Sequence, residues 1–244
     1  MVDSSDTRRG QPSANAAFGN KLAVLAGDFI LARASVSLAR LRHVPTVELL
    51  STVIEHLVKG EVLQMQAAFA GKSVNDPEAH DEAFELYLRK SFYKTASLIA
   101  NACKASALLA GSPPQVVDAA YAYGKHIGLA FQLIDDCLDF EGTQESLGKP
   151  ALADAKAGIS TAPLLFACRM YPERVLPLME RKFSSEGDLE LAVNLVQEVD
   201  GLPRAKRLAV AHAQAALEAL RGLAPGQYRS ALAGMAKIVV ERSK

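Results

Sequence analysis

Apolar residues recur at intervals of three and four positions along most of the chain, with polar residues between them. This spacing is typical of one buried face of an α-helix, whereas the strict alternation and the Val, Ile and Thr runs of β-strands are almost absent. The pattern predicts helices over residues 17–41, 46–70, 81–109, 115–140, 160–170, 189–199, 203–220 and 227–242. The sequence therefore predicts an all-α fold.

Short breaks that contain Gly, Pro or Ser separate the predicted helices and can join antiparallel neighbours. Ser112 followed by Pro113 predicts a capped helix start with proline at the first helical position, and this helix runs to Phe140. Alanine on the inward faces lets helix axes approach closely. Because the 244 residues are 50% hydrophobic, we expect one domain over 1–244, an antiparallel helical bundle around a central cavity.

The charge balance excludes some partners, because 27 basic residues offset 27 acidic ones and leave no overall field for nucleic acid. The three cysteines are far apart, which argues against a disulfide framework or zinc site and favours a reducing compartment. The chain has no uninterrupted apolar run of about 18 residues, so no membrane-spanning helix is expected. The first residues resemble neither a signal peptide nor a transit peptide.

Three carboxylates stand at the end of the predicted helix 115–140, in the run FQLIDDCLDF. Asp135, Asp136 and Asp139 fall within an arc of about 100° at 100° per residue, so they share one side of the helix. They add like charge to the negative end of the helix dipole, which indicates that a cation should sit there. Because Mg²⁺ prefers a few carboxylates together with substrate phosphates, we predict a metal-bridged diphosphate site rather than a solvated acidic helix end.

Basic residues elsewhere offer contacts to the same anion. Lys94 and the adjacent Thr95 interrupt an apolar helix face, and we favour phosphate binding over snorkelling for Lys94. Arg8 and Arg9 can hold two anions, although paired basic residues are more often solvated surface. Lys149, in a glycine-flanked loop, is either a further substrate-binding residue or an ordinary loop lysine.

The segments that carry these residues resemble a known family. GNKLAVLAGDFILARA, KTASLIA, FQLIDDCLDF and LGKPALADAKAGISTAPLLFA occur in the order and approximate spacing of the trans-isoprenyl diphosphate synthases, and within them of the long-chain polyprenyl synthases that make quinone side chains. The resemblance covers the chain from Asp3 onward. It implies an isoprenoid-synthase helical fold and a mitochondrial location in eukaryotes, or a cytoplasmic one in bacteria.

In this family two DDxxD motifs face each other across a cavity and bind Mg²⁺ that holds the allylic diphosphate. The resemblance implies that the metal ligands here are Asp3, Asp135, Asp136 and Asp139. It implies substrate contacts from Arg8, Arg9, Lys94, Thr95 and Gln132. Among all these residues, Asp135, Asp136, Lys94 and Arg8 are the ones implied to act most directly in catalysis.

The sequence departs from the family pattern at the first aspartate motif, of which Asp3 alone can be the last member. We therefore expect that N-terminal helices of the family fold are missing and that the 244-residue chain by itself has little or no activity. A smaller departure is Ile159, where shorter-chain relatives often carry lysine. Product length cannot be derived from the residues that remain, although Phe18 to Leu31 are candidates for the product tunnel wall.

The reaction implied is ionisation of an allylic diphosphate, attack by the double bond of isopentenyl diphosphate, and loss of a proton. Partners implied are those two substrates, a second copy or a related subunit, and peripheral contact with a membrane through an apolar patch. A non-catalytic partner subunit is an alternative, which the intact FQLIDDCLDF motif disfavours. A terpene cyclase fits less well, because its second metal motif differs.

Overall fold

Helices make up nearly all of the regular structure in this computed structural model, which describes residues 6–8, 11–65, 76–141, 152–156 and 158–242. The predicted all-α class is confirmed, with one small antiparallel pair of strands near the N-terminus. The elements are β1 Thr7–Arg8, β2 Gln11–Pro12, α1 Ala14–Phe18, α2 Asn20–Ala39, α3 Val44–Gln64, α4 Pro77–Ser91, a π-helical turn Phe92–Ala96, α5 Ser97–Leu109, α6 Pro114–Glu141, α7 Ala153–Lys156, α8 Ala162–Met170, α9 Pro172–Glu180, α10 Asp188–Glu198, α11 Gly201–Ala219, a 3₁₀ turn Leu220–Gly222 and α12 Gln227–Glu241.

The long helix α6 is the central element of the bundle. It packs between α5 on one side and α11 on the other, and α12 lies against the same helix. Its N-terminal half contributes Tyr123 and Ile127 to a small core with α11 and α12. Its C-terminal half contributes Leu133 and Cys137 to the main core, which α4, α8, α9, α10 and α11 complete. The carboxylates at the end of α6 therefore emerge beside the main core.

Glycine allows α6 to approach its neighbour closely. A Cβ atom added to Gly124 would lie 2.7 Å from the Ala100 Cα, and one added to Gly128 would lie 2.4 Å from the Ala96 Cα. Both pairs are spaced by four residues, so they form one contact line along two helices. The backbones meet directly along this line, which confirms the expectation that small residues bring helix axes together.

The predicted helix over 81–109 is continuous but not uniform. α4 and α5 are joined through the π-helical turn Phe92–Ala96, and the backbone N–H of Ser97 bonds to the Phe92 carbonyl, five residues earlier. π-Turns are rare and widen the helix by one residue. This one carries Lys94 and Thr95, so the turn sets the direction of two predicted site residues.

Several helix boundaries differ from the sequence prediction, and one helix was not predicted. The helix α6 begins at Pro114, because the Pro113 carbonyl accepts hydrogen bonds from Val116 and Val117 and thus precedes the first turn. A further helix, α9, covers a stretch for which the sequence pattern predicted none, and its Val175, Leu176 and Leu178 are buried. It is nine residues long and contains Pro177 in its interior, a residue that usually ends a helix.

The helix α2 stands apart from the core. Among the described residues it makes its main contacts with α1, and none of its residues is buried. It is long and apolar enough by length and composition to cross a membrane, a criterion that a helix covered by other protein also meets. Asp28 and Arg33 interrupt its apolar sequence, which is why no membrane span was expected. Its exposed large apolar side chains are Leu22, Val24, Leu25, Phe29, Ile30, Leu31 and Val36.

Candidate active site

Asp136 is a buried, hydrogen-bonded carboxylate at the C-terminal end of α6. Its carboxylate is buried, and both oxygens accept hydrogen bonds. Oδ1 accepts from Gln132 Nε2 at 2.8 Å, one turn earlier on the same helix. Oδ2 accepts from the Tyr87 hydroxyl of α4 at 2.7 Å and from the Ala162 backbone N–H of α8 at 3.4 Å. Three helices therefore fix this carboxylate in place.

Burial makes the ionised form of Asp136 unfavourable. It raises the pKa of this carboxyl to about 6, even though the hydrogen bonds from Gln132 and Tyr87 and the positive charge of Lys90 act to lower it. Burial and the neighbouring Asp136 charge in turn hold the pKa of Tyr87 well above its usual range. Because the ionised form of Asp136 stays unfavourable despite these three stabilising contacts, a bound cation would stabilise it.

Asp139 lies one turn further and is also buried. Its Oδ2 accepts a hydrogen bond from the Asp154 backbone N–H at 3.2 Å, and its backbone carbonyl accepts one from the Leu152 N–H at 3.1 Å. These contacts tie α7 and the residue before it to the end of α6. Asp139 therefore positions a segment of chain as well as adding negative charge.

Asp135 faces the C-terminal end of the chain. Its side chain is half exposed, and Oδ1 accepts a hydrogen bond from Arg242 Nη2 at 3.0 Å. The guanidinium also lies 3.8 Å from the centre of the Phe131 ring and donates to the Phe131 carbonyl. A cation from a segment 107 residues away thus already balances one of the three carboxylates.

The three aspartates stand at one helix end, as their spacing predicts, but each turns toward a different element. Within the described ranges, no group of three His, Cys, Asp or Glu side chains is arranged to hold a metal ion. Mg²⁺ does not require such a cage, since it commonly uses one or two carboxylates and takes its other ligands from water and phosphate. The hard oxygen donors, and the burial that makes the ionised form of Asp136 unfavourable, fit this ion.

Thr95, a predicted substrate contact, joins the same network. Its hydroxyl donates to Gln132 Oε1 at 2.7 Å, while the Gln132 amide N–H donates to Asp136. The π-helical turn brings Thr95 to α6, and the close approach at Gly128 makes the short contact possible. A continuous path of hydrogen bonds runs from Thr95 through Gln132 to Asp136.

Lys94 lies beside this network but turns toward α3. Its ammonium donates to Gln64 Oε1 at 2.6 Å and pairs with Glu61 Oε1 at 2.9 Å. Gly60 makes room for it, since a Cβ atom there would lie 2.5 Å from Lys94 Cγ. The anion-binding role of Lys94 stays a prediction. In this structure side chains of α3 bind the Lys94 ammonium at the edge of the site.

The structure does not describe the side chains of four predicted site residues. Asp3, Arg9 and Lys149 lie outside the described residues, and for Arg8 the structure describes the backbone in β1 alone. Their roles stay predictions from the family resemblance.

Sequence reasoning missed three residues of the site. Tyr87 and Lys90 precede Lys94 by seven and four residues, which is the spacing of one helix face, so this periodicity was a usable signal. Arg242 gave no comparable signal, because its partner Asp135 is distant in the sequence.

Comparison with known proteins identifies close relatives. Residues 1–196 match the polyprenyl synthetase family. The chain is 49% identical over 244 residues to the Neurospora crassa protein named "Probable hexaprenyl pyrophosphate synthase, mitochondrial", covering 100% of the chain and 54% of that protein. It is 43% identical over 244 residues to decaprenyl-diphosphate synthase subunit 1 of Schizosaccharomyces pombe, covering 100% of the chain and 64% of that protein. The chain spans about half the length of the first curated relatives it matches.

A solved structure has the same fold. The polyprenyl synthase of Caulobacter crescentus, complexed with calcium and isoprenyl diphosphate, superimposes with a TM-score of 0.86 at 33% sequence identity. The match covers 98% of this chain and 72% of the other. This similarity confirms that the helices described above follow the arrangement of the isoprenyl synthases.

Proposed function

Because the chain belongs to the polyprenyl synthetase family, we propose that it contributes the diphosphate-binding end of α6 to a trans-polyprenyl diphosphate synthase. The proposed reaction condenses isopentenyl diphosphate with an allylic prenyl diphosphate. The product is a long-chain trans-polyprenyl diphosphate of the kind that ubiquinone biosynthesis uses for its side chain. Relatives named for hexaprenyl and decaprenyl products support the long-chain class.

The observation that carries this proposal is the hydrogen-bonded path Thr95–Gln132–Asp136–Tyr87. A fold that only needed stability would not require a buried carboxylate with a raised pKa at the negative end of a helix. Perturbed carboxylates of this kind concentrate at functional sites. The site suits a ligand that brings both a cation and phosphate oxygens.

The chemistry assigned to this chain is charge stabilisation. The allylic C–O bond breaks and the diphosphate leaves with the bonding electron pair. The double bond of isopentenyl diphosphate then attacks the allylic carbon, and the released diphosphate takes a proton from the resulting cation, whose C–H electrons form the new double bond. Lys94 and Arg8 are proposed to bind the departing diphosphate, while Thr95 and Gln132 keep Asp136 oriented. No protein nucleophile is needed.

The proposed metal is Mg²⁺, held by Asp135, Asp136 and Asp139 together with diphosphate oxygens. When bound, it would neutralise charge that develops on the leaving diphosphate. The relative from Caulobacter crescentus was solved with calcium and isoprenyl diphosphate, which supports a divalent cation beside the diphosphate. Asp3 is proposed as a ligand from the other aspartate motif, and Arg9 and Lys149 as further substrate contacts.

Calorimetric titration of the chain with inorganic diphosphate in Mg²⁺ tests the proposed site. We expect Asp136→Asn to weaken binding by tenfold or more, since it removes a charged ligand. Asp118→Asn is the matched control, because Asp118 lies on the same helix but is exposed near its other end. Equal affinity of the two variants would contradict the assignment, and so would a chain that binds no diphosphate.

Turnover is a separate question. The printed sequence contains one complete aspartate motif, so we expect diphosphate binding by the 244-residue chain without normal condensation of isopentenyl diphosphate and farnesyl diphosphate. Normal steady-state turnover in Mg²⁺ would refute this expectation. Binding without turnover is also what the alternative, a non-catalytic partner subunit, predicts. Restored turnover on mixing with a complete synthase whose own active site has been inactivated would favour the catalytic reading.

The partner proposed for the chain is a second copy or a related subunit. The apolar surface of α2, with Phe29 and Ile30 each more than 60% exposed, supports contact with another protein, and Asp28 and Arg33 disfavour lipid there. The relative from Schizosaccharomyces pombe is named as a subunit, which is consistent. Native mass spectrometry would test this, and a strict monomer for both the wild type and Phe29→Ser would contradict it.

A mitochondrial location is proposed because several relatives are named as mitochondrial. Fractionation of the source cells with an antibody to the chain would test it. Recovery in the cytoplasm alone would contradict it.

A further inference from the structure

Lys90 is a basic residue that the sequence patterns did not single out. It lies on α4, one turn before Lys94 and one turn after Tyr87. Its side chain is partly buried and extends toward the segment before α8, where Nζ donates a hydrogen bond to the Ser160 backbone carbonyl at 3.1 Å. The ammonium also lies 5.3 Å from the centre of the Tyr87 ring. It therefore sits against the residue that holds Asp136.

The charges around Lys90 come from the same site. Burial lowers the pKa of its ammonium, Asp136 and Asp154 act to raise it, and Lys94 acts to lower it. Lys90 thus contributes a positive charge near the buried carboxylate, and Lys94, four residues later, lies close enough to affect the pKa of Lys90. Within the described part of the chain, the hydrogen bond of Lys90 goes to a neutral carbonyl and not to a carboxylate.

Such an arrangement is unusual for a purely structural lysine. A buried cation is normally satisfied by a carboxylate at ion-pair distance, because otherwise its desolvation is not offset. The Ser160 carbonyl accepts one of three ammonium protons, and the segment from Gly158 to Thr161 supplies no acidic side chain of its own. An anion with several oxygens would fill the remaining donor positions.

We propose that Lys90 is a second ammonium contact, with Lys94, for the diphosphate bound beside Asp136. This inference rests on the function proposed above and extends it by one substrate-binding residue. The spacing of four residues places Lys90 and Lys94 about one turn apart, which suits a ligand with two linked phosphate groups when the Lys94 ammonium turns from Glu61 toward it. In this arrangement Tyr87 acts twice, as a donor to Asp136 and as the ring on which the Lys90 ammonium rests.

Titration of Lys90→Met with inorganic diphosphate in Mg²⁺ is the direct test. We expect affinity to fall by about tenfold to a hundredfold, the usual effect of losing a charge-assisted hydrogen bond. Lys90→Arg should retain most of the affinity because it keeps the charge. The matched control is Lys104→Met, since Lys104 Nζ lies at the same 5.3 Å from the ring of Tyr121 but outside this site.

The outcomes separate the two proposals. If wild-type protein binds diphosphate and Lys94→Met weakens binding, but Lys90→Met behaves like Lys104→Met, the role of Lys90 is wrong while the proposed site stands. If wild-type protein binds no diphosphate, the proposed function itself fails.

A second measurement avoids variants that do not fold. Wild-type protein is reductively methylated with and without Mg²⁺ and diphosphate, and labelling at each lysine is read by mass spectrometry. We expect the diphosphate to protect Lys90 and Lys94 at least threefold and to leave Lys104 unchanged. Equal labelling of Lys90 in the two conditions would overturn the proposal.

Discussion

The close contact between α6 and the π-helical turn can be tested by adding a single methyl group. In Gly128→Ala the new Cβ would lie 2.4 Å from the Ala96 Cα and 2.6 Å from the Ala96 Cβ. Carbon atoms prefer about 3.5–4.0 Å, so the two backbones must separate by roughly 1 Å. Backbone cannot rotate away as a flexible side chain does.

The expected cost follows from two opposing effects. Overpacking of this kind costs about 1–3 kcal/mol, and two rigid backbones place it near the upper end. Alanine gains about 1 kcal/mol over glycine in helix propensity. The net result should be a loss of roughly 2 kcal/mol in the free energy of unfolding, which corresponds to about 4–8 °C in Tm for a chain of this size.

Urea denaturation followed by far-UV circular dichroism measures this effect. Gly234→Ala is the control, since Gly234 lies within α12 and a Cβ there meets nothing within 4 Å. The control should be stabilised by up to about 1 kcal/mol. Gly128→Ala should also weaken diphosphate binding, because Thr95 and Gln132 meet next to this contact. If the two alanine variants proved equally stable, the close-packing argument would be refuted.

Three further predictions concern charge and space. Burial raises the pKa of Asp136 to about 6, so the ionised carboxylate lowers the free energy of unfolding at high pH. This destabilisation disappears as the pH falls from about 6 toward 4, because the folded protein then binds the proton. Asp136→Asn should therefore stabilise the metal-free chain by about 1–3 kcal/mol at pH 7.5 and by little at pH 4, and equal stabilisation at both would contradict this. Gly60→Ala should crowd Lys94 and weaken diphosphate binding about threefold to tenfold, whereas the control Gly234→Ala should leave the binding affinity unchanged. Unaltered diphosphate affinity in both variants would count against a role for Lys94 in binding. Burial lowers the pKa of His212 to about 4, so folded protein loses stability as pH falls from about 6.5 toward 4. His212→Gln should reduce that loss in urea melts at pH 7 and pH 5, and an unchanged loss would show that the acid sensitivity arises elsewhere.

The site shows which contacts sequence spacing can predict. Gln132 and Asp136 are one turn apart on α6, and their hydrogen bond follows from helix geometry alone. Tyr87 reaches the same carboxylate across 49 residues, and only the packing of α4 against the end of α6 and α8 brings it there. The π-helical turn is a further case, because shifting a bond from four to five residues leaves no mark in the pattern of apolar positions.

The helical class, the central helix and the location of its acidic end could be predicted from the sequence, because periodicity of apolar residues and charge at a helix terminus are local properties. The resemblance to a known family also predicted Lys94, Thr95 and Gln132 as substrate contacts, and of these Thr95 and Gln132 are hydrogen-bonded to each other next to Asp136. How each charge is balanced depends on the tertiary structure. Arg242 pairs with Asp135, Glu61 pairs with Lys94, and burial raises the pKa of Asp136, since pairing and desolvation depend on which distant elements pack together.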